Sequence, residues 1–295
     1  MLFVHAIALL FFEFLGTTAV SPPAVPPASG PHTLRVAAPA IAWIEAASFV
    51  RGSSDDEIVE AVALCERTSP LPEVRELCHP EFFAAERPEQ RVHLAAYGID
   101  RFEVTVAAHR RCVAAGACTP SRVSADDERL SQEAHPVTGV THRQALRYCR
   151  FVGGRLPTEA EWEHAARGDD GRTFPWGNVY NDRLANHGIG FNRPDDIDGA
   201  RYAARVGSHP SAVSPYGVHD LAGNVWEWTA DLYAHDAYAA GTVVHPTGAM
   251  TGGDRVVRGG SWRSPAFTMR SAYRFRVGEG GTAPDLGFRC AYDPP

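Results

Sequence analysis

The stretch from Arg255 to Cys290 constrains this chain more than any other. It reads RVVRGGSWRSPAFTMRSAYRFRVGEGGTAPDLGFRC. A β-like RVVRG runs into Gly259-Gly260 and Ser261-Trp262. An arginine run follows (Arg270, Arg274, Arg276), then a Gly-rich loop, and the stretch closes on Gly287-Phe288-Arg289-Cys290. Two glycines ahead of a small polar residue let backbone approach another group closely. The arginines can pair with carboxylates or line a polar groove. A fold that holds such a segment must be rich in turns. The composition agrees, with 27 Gly and 22 Pro in 295 residues. At 44% hydrophobic and 21% charged, the chain can still bury a core. All 28 basic residues are arginine, the net charge is −7, and no basic stripe stands out, which argues against nucleic-acid binding.

The N-terminus, MLFVHAIALLFFEFLGTTAVSPP, reads as a signal peptide over residues 1–20, with a Pro-rich linker over 21–39. The apolar run is too short to leave a stable membrane span. The chain is therefore expected to be exported, periplasmic or extracellular and bacterial. The even count of six cysteines agrees with an oxidising compartment. Fifteen pairings are open to them. Proximity favours Cys65–Cys78 and Cys112–Cys118, which leaves Cys149 and Cys290. Cys149 lies in a helical pattern and also reads as a buried free thiol.

In chain order, residues 41–50 read as a strand, 55–90 as an acidic irregular segment, and 91–96 as a second strand. Thr105 caps a helix over 106–115 that Gly116 stops. The pairs Thr141/Gln144 and Thr158/Glu161 form capping boxes, the first for a helix to about Phe151, the second for one ending at Gly168. Beyond Asp169 long loops dominate. The expectation is one irregular α+β domain over residues 40–293.

Chemistry is sparse in the local spacing. Asp220 and Glu227 flank a Gly223-Asn224 turn and could offer hard oxygens to Ca²⁺. From spacing alone, a solvated turn with Trp226 and Trp228 in the core is the simpler reading. Asn186 and Asp198 form a weaker oxygen pair. Thirteen histidines show no H-E-x-x-H spacing, and His142 and His164 read as ordinary helix residues. Ser261 lacks a G-x-S-x-G context, so a hydrolase is not supported.

Four blocks taken together carry a resemblance: YGIDRFEVT (97–105), GRLPTEAEWEHAARG (154–168), DLAGNVWEW (220–228) and RVVRGGSW…LGFRC (255–290). In content and order they resemble the formylglycine-generating enzyme family, or sulfatase-modifying factor domain. The resemblance implies a C-type-lectin-like single domain of low regular secondary structure. It implies two Ca²⁺ sites: Asn186, the His187 carbonyl, Asp198 and the Ala200 carbonyl; and Asp220, the Gly223 and Val225 carbonyls, and Glu227. It also implies a Cys149–Cys290 disulfide. The oxidising members carry two cysteines that bind Cu(I) and engage the substrate cysteine, which O₂ converts to an aldehyde. Here those positions hold Ser264 and Met269, with Ser261 retained. Hydroxyl and thioether do not replace two thiolates, so copper is not expected.

Two readings follow. In the first the chain is a non-catalytic, exported, Ca²⁺-stabilised monomer. It binds a peptide or small molecule in the former substrate groove around Ser261, Trp262, Arg270, Arg274 and Arg276. In the second it is a diverged oxidoreductase of the same family.

Overall fold

The chain enters through two strands where the sequence suggests one: β1 (Ile41–Ile44) and β2 (Ala47–Arg51). The computed structural model describes residues 40–238, 241–248 and 250–295. The stretches read as signal peptide and linker lie outside them. The break at Glu45-Ala46 sends β1 and β2 into different sheets.

Residues 55–90 are helical, not irregular. They form α1 (Asp55–Thr68), α2 (Pro72–Arg75) and a 3-10 turn at Pro80–Glu86. The signal was present in the sequence. Ser54 Oγ accepts from the Glu57 amide, and the Glu57 carboxylate accepts from the Ser54 amide, a complete capping box. Ile58, Ala61, Leu64 and Cys65 fall on one face at helical spacing and are buried. The acidity that suggested a loop is Asp55, Asp56 and Glu57 in the first turn, where negative charge suits the helix dipole.

Next come β3 (Gln90–Leu94) and β4 (Tyr97–Asp100), then three helices at their expected caps. These are α3 (Val106–Ala114) after Thr105, α4 (His142–Phe151) from the Thr141–Gln144 box, and α5 (Glu159–Arg167) from the Thr158–Glu161 box. The second half is mostly loop and short strand: β5 (Gly188–Gly190), β6 (Arg193–Pro194), β7 (Trp226–Leu232) and β8 (Thr242–Val244). It ends with β9 (Asp254–Arg258), β10 (Phe275–Gly278), β11 (Leu286–Gly287) and β12 (Ala291–Tyr292). The described sheets run β10-β9-β7-β11, β1-β4-β12 and β2-β3-β8, with β5-β6 as a small ribbon. The described residues form one compact unit of mixed α+β type.

α5 organises the interior. All nine of its residues are buried, four of them charged. Its apolar residues, Ala160, Trp162, Ala165 and Ala166, pack with Ile44, Phe49 and Ile99 from β1, β2 and β4. Buried charges require partners, and the segment from Arg255 to Cys290 supplies several. Arg258 of β9 meets Glu159 at 2.8 Å and Glu163 at 2.7 Å, and Arg274 meets Glu159 at 2.7 Å. Three disulfides complete the frame: Cys65–Cys78, Cys112–Cys118 and Cys149–Cys290, with Cα separations of 5.5, 5.3 and 5.4 Å. The last ties α4 to the residue just before β12, so Cys149 is not a free thiol.

Candidate functional site

β9 delivers the Gly259-Gly260 pair into a crowded interior. Both residues have positive φ, +97° and +77°. A Cβ on Gly259 would lie 3.2 Å from Trp162, and one on Gly260 would lie 2.7 Å from Thr268 Oγ1. Only glycine suits either place. The pair turns Ser261 fully inward, where its Oγ donates to Asp285 Oδ2 at 2.6 Å. That donation fixes the direction of the rest of the chain. Ser264 Oγ, 2.8 Å away, donates to Ser261 and accepts from Trp226 Nε1 at 3.0 Å. Arg263 takes the other Asp285 oxygen at 2.7 Å. Both serine hydroxyls are thus committed inside a buried network.

Met269 ends the 3-10 turn Ala266–Met269 and is fully buried. α1 packs over this turn. No cysteine is free, since all six are in disulfides. The donor set here is two hydroxyls and a covered thioether. It lacks the soft thiolates Cu(I) requires, so its chemistry does not fit copper.

The five groove residues named from the sequence do not come together in one groove. Arg270 is buried against Glu86 and stacks over Phe83. Arg274 is buried against Glu159 and stacks over Tyr238 at 4.4 Å. Trp262 is buried against Tyr202. Arg276 alone reaches solvent, 3.6 Å from Asp254. What the segment does expose is β10, an edge strand carrying Phe275 and Arg276, with Phe275 stacked on Trp226 at 5.3 Å.

The first oxygen set is assembled. Asp198 accepts from the His187 amide at 3.1 Å and the Ala200 amide at 2.8 Å, which draws all three toward Asn186. Asn186 Nδ2 donates to the Tyr202 carbonyl at 2.7 Å, and its Oδ1 is buried with no donor among the described residues. A buried orphan acceptor of this kind suits a hard cation.

The second set is built differently. Asp220 accepts from the Gly207 amide, and Gly223 lies against the Asn186 backbone. Glu227 is held on both oxygens by Arg289, at 2.6 and 2.7 Å, and takes Trp162 Nε1 at 2.8 Å. Sequence reasoning did not single out Glu103, which lies inside the YGIDRFEVT block. It is buried beside this set, bonded to Asn224 Nδ2 through Oε2 and with Oε1 orphaned. Nothing in local spacing marks it, because its neighbours lie more than a hundred residues away.

Burial, then the charges of Asp220 and Glu227, push the Glu103 carboxyl well above its ordinary range. Burial raises Asp220 as well. Three buried acids thus surround the Arg289 guanidinium, and the fold favours the protonated form of Glu103. Among the described residues no three His, Cys, Asp or Glu side chains converge on one metal position. Ca²⁺ in either set would therefore draw ligands from carbonyls and water as well.

Residues 31–294 match the family model described as the sulfatase-modifying factor enzyme 1-like domain. The formylglycine-generating enzyme of Bos taurus is 36% identical over 177 residues, which cover 57% of this chain and 46% of that protein. The inactive C-alpha-formylglycine-generating enzyme 2 of Bos taurus is 39% identical over 165 residues, 53% of this chain and 50% of that one. The chain thus spans about half the length of these relatives. PvdO from Pseudomonas aeruginosa shares the fold, with a TM-score of 0.65 at 22% identity over 86% of this chain and 94% of PvdO. Fold, block order and family match agree: the chain belongs to the sulfatase-modifying factor enzyme 1-like family.

Proposed function

We propose that this chain is a non-catalytic member of its family, an exported binding domain stabilised by Ca²⁺. The observation that carries this reading is the state of Ser264 and Met269. The serine is locked between Trp226 and Ser261, and the methionine is buried in a turn over which α1 packs. Relatives named as active and as inactive are about equally similar to the chain. The residues at the site, not overall similarity, therefore support the reading.

The ligand surface follows from what remains exposed. β10 is the outer strand of the β10-β9-β7-β11 sheet, next to the Trp226–Phe275 stack. Edge strands offer free backbone groups, and an extended peptide can pair with them while its side chains meet Phe275 and Arg276. Three disulfides support an oxidising compartment. No helix among the described residues is long and apolar enough to cross a membrane. The orphan oxygens of Asn186 and Glu103 support Ca²⁺.

Titration with Cu(I) against a chromophoric chelator tests the non-catalytic reading. The expected result is no stoichiometric copper uptake. One tightly held Cu(I) per chain would favour the oxidoreductase reading.

A further inference from the structure

α4 carries Arg143, Arg147 and Arg150 at i, i+4 and i+7, which places them on one helix face. All three are exposed, while His142, Ala145, Tyr148 and Cys149 turn inward. With Arg122 they line a groove of about 730 Å³ whose walls include Leu146 and no acidic residue. None of these four guanidiniums makes a hydrogen bond or ion pair among the described residues. The row is invisible as a run in the sequence, because only the helix gathers it.

This row is unfavourable for the helix that bears it. α4 has no acidic residue to offset the arginines, and like charges at i, i+4 destabilise. Arg143 stands in the first turn, where the helix dipole favours negative charge. Such a conflict between local preference and fold marks a functional place. The facing wall is fixed in position. Gln144 Nε2 donates to Thr119 Oγ1 and to the Pro120 carbonyl, each at 2.9 Å, and the Arg122 amide donates to the Gly139 carbonyl at 2.9 Å. Pro120 and Arg122 also line a second cleft, of about 510 Å³, with Val113, Val123 and Leu130 in its walls. Of the acids in the neighbouring loop, Asp127 is paired with Arg129, and Asp126 and Glu128 line neither space.

Free arginines beside an apolar cleft suit an anionic partner that also carries apolar side chains. The groove has no aromatic lining residue, so bases find no stacking platform there. A flat lipid surface does not enter a concave groove. The row is about 10 Å long at about 1.5 Å per residue, a length that three or four residues of extended peptide cover. The net charge of −7 over the whole chain confines an acidic segment to this one place.

We propose that the α4 groove docks an acidic segment of a partner protein. Its carboxylates meet Arg122, Arg143, Arg147 and Arg150, and an apolar side chain enters the cleft beside Val113 and Leu130. This surface is independent of the non-catalytic reading, because it uses none of the residues around Ser264 and none of β10.

Fluorescence anisotropy of the full chain with labelled probes at low ionic strength tests the assignment. The peptide EEDLEE is expected to bind, and to bind more weakly as salt rises. The charge-reversed KKRLKK is expected not to bind, and EEDSEE to bind at least threefold more weakly than EEDLEE. Arg143→Glu with Arg147→Glu should weaken EEDLEE at least tenfold at an unchanged melting temperature, since both positions are exposed. Arg91→Glu with Arg205→Glu makes the same charge change at exposed positions elsewhere and should leave binding within twofold. Absence of EEDLEE binding would overturn the proposal, as would equal losses in the two double variants. Tighter binding of an oligothymidylate, or of vesicles of phosphatidylserine and phosphatidylcholine in equal parts, would overturn the assignment to a protein partner. EEDSEE binding as tightly as EEDLEE would remove the cleft from the site.

Discussion

Glu159 shows how single residues hold this interior together. Burial alone would raise its carboxyl, but Arg274 and Arg258 outweigh that and hold it down to about 2. Removing one partner of a buried ion pair typically destabilises by about 3–5 kcal/mol, because the other charge is stranded. Glu159→Gln should lower unfolding stability in urea by that amount, and a loss under about 1 kcal/mol would contradict the account.

Asp231 makes the opposite case. Burial first, then the nearby charge of Glu159, raises its carboxyl to about 7, and its Oδ1 has no partner among the described residues. A folded-state value above the unfolded one means that the fold favours the protonated acid. The stability Asp231 contributes is therefore full below about pH 4 and is lost as pH rises through 7. Asp231→Asn should match the parent near pH 4 and exceed it at pH 8, by up to about 4 kcal/mol at about 1.4 kcal/mol per pKa unit. Equal stability of the two at pH 8 would count against this reading.

Neither residue could be found from local spacing. Glu159 and Arg274 lie 115 positions apart, so the sequence showed an arginine run but not the carboxylates that meet it. The run therefore read as a groove, whereas two of its three members serve the core.

At the scale of elements, the caps were legible because they are local. Thr105, Thr141 and Thr158 each begin a helix as the spacing predicts. α1 was missed for a local reason too: its capping box stands inside an acidic run that resembles a loop. The helix matters beyond its own stability, because it packs over the turn that carries Met269. Cys65–Cys78 fixes it across a separation of 13 residues. A crosslink closing a loop of that size contributes about 3 kcal/mol. Replacing both cysteines by serine should lower stability by about that much. It should also open a protease site between Thr68 and Pro80, with the Cys149–Cys290 half left resistant. Unchanged resistance in the 68–80 segment would show that α1 is held by packing alone.

At the scale of the molecule, the family's frame is present across the described residues, and the proposed reading places the change at its centre. The four blocks made the family legible because each supplies part of one interior: β4, α5, β7 and the closing segment all meet there. Of the oxygen sets expected from the sequence, the structure bonds Asp198 to the His187 and Ala200 amides, while Glu103 emerged only in three dimensions. A ligand that binds the folded state alone raises stability by about 2.7 kcal/mol at a hundredfold excess over its dissociation constant. Millimolar Ca²⁺ should thus raise the melting temperature measurably. Glu227→Ala should remove the part of that rise that comes from the second set, but it also strands the buried Arg289 and will lower stability by itself. Asp198→Asn, at a partly exposed position, is the cleaner variant. A Ca²⁺ response that both variants retain would exclude the assigned ligands.

The central claim is that the site around Ser264 and Met269 no longer oxidises a substrate. Its most direct test incubates the purified chain with copper, O₂ and a C-x-P-x-R peptide and follows the peptide mass. The account predicts that the cysteine persists unchanged, with no aldehyde trapped by a hydrazine reagent. Enzyme-dependent conversion of that cysteine to formylglycine would contradict it.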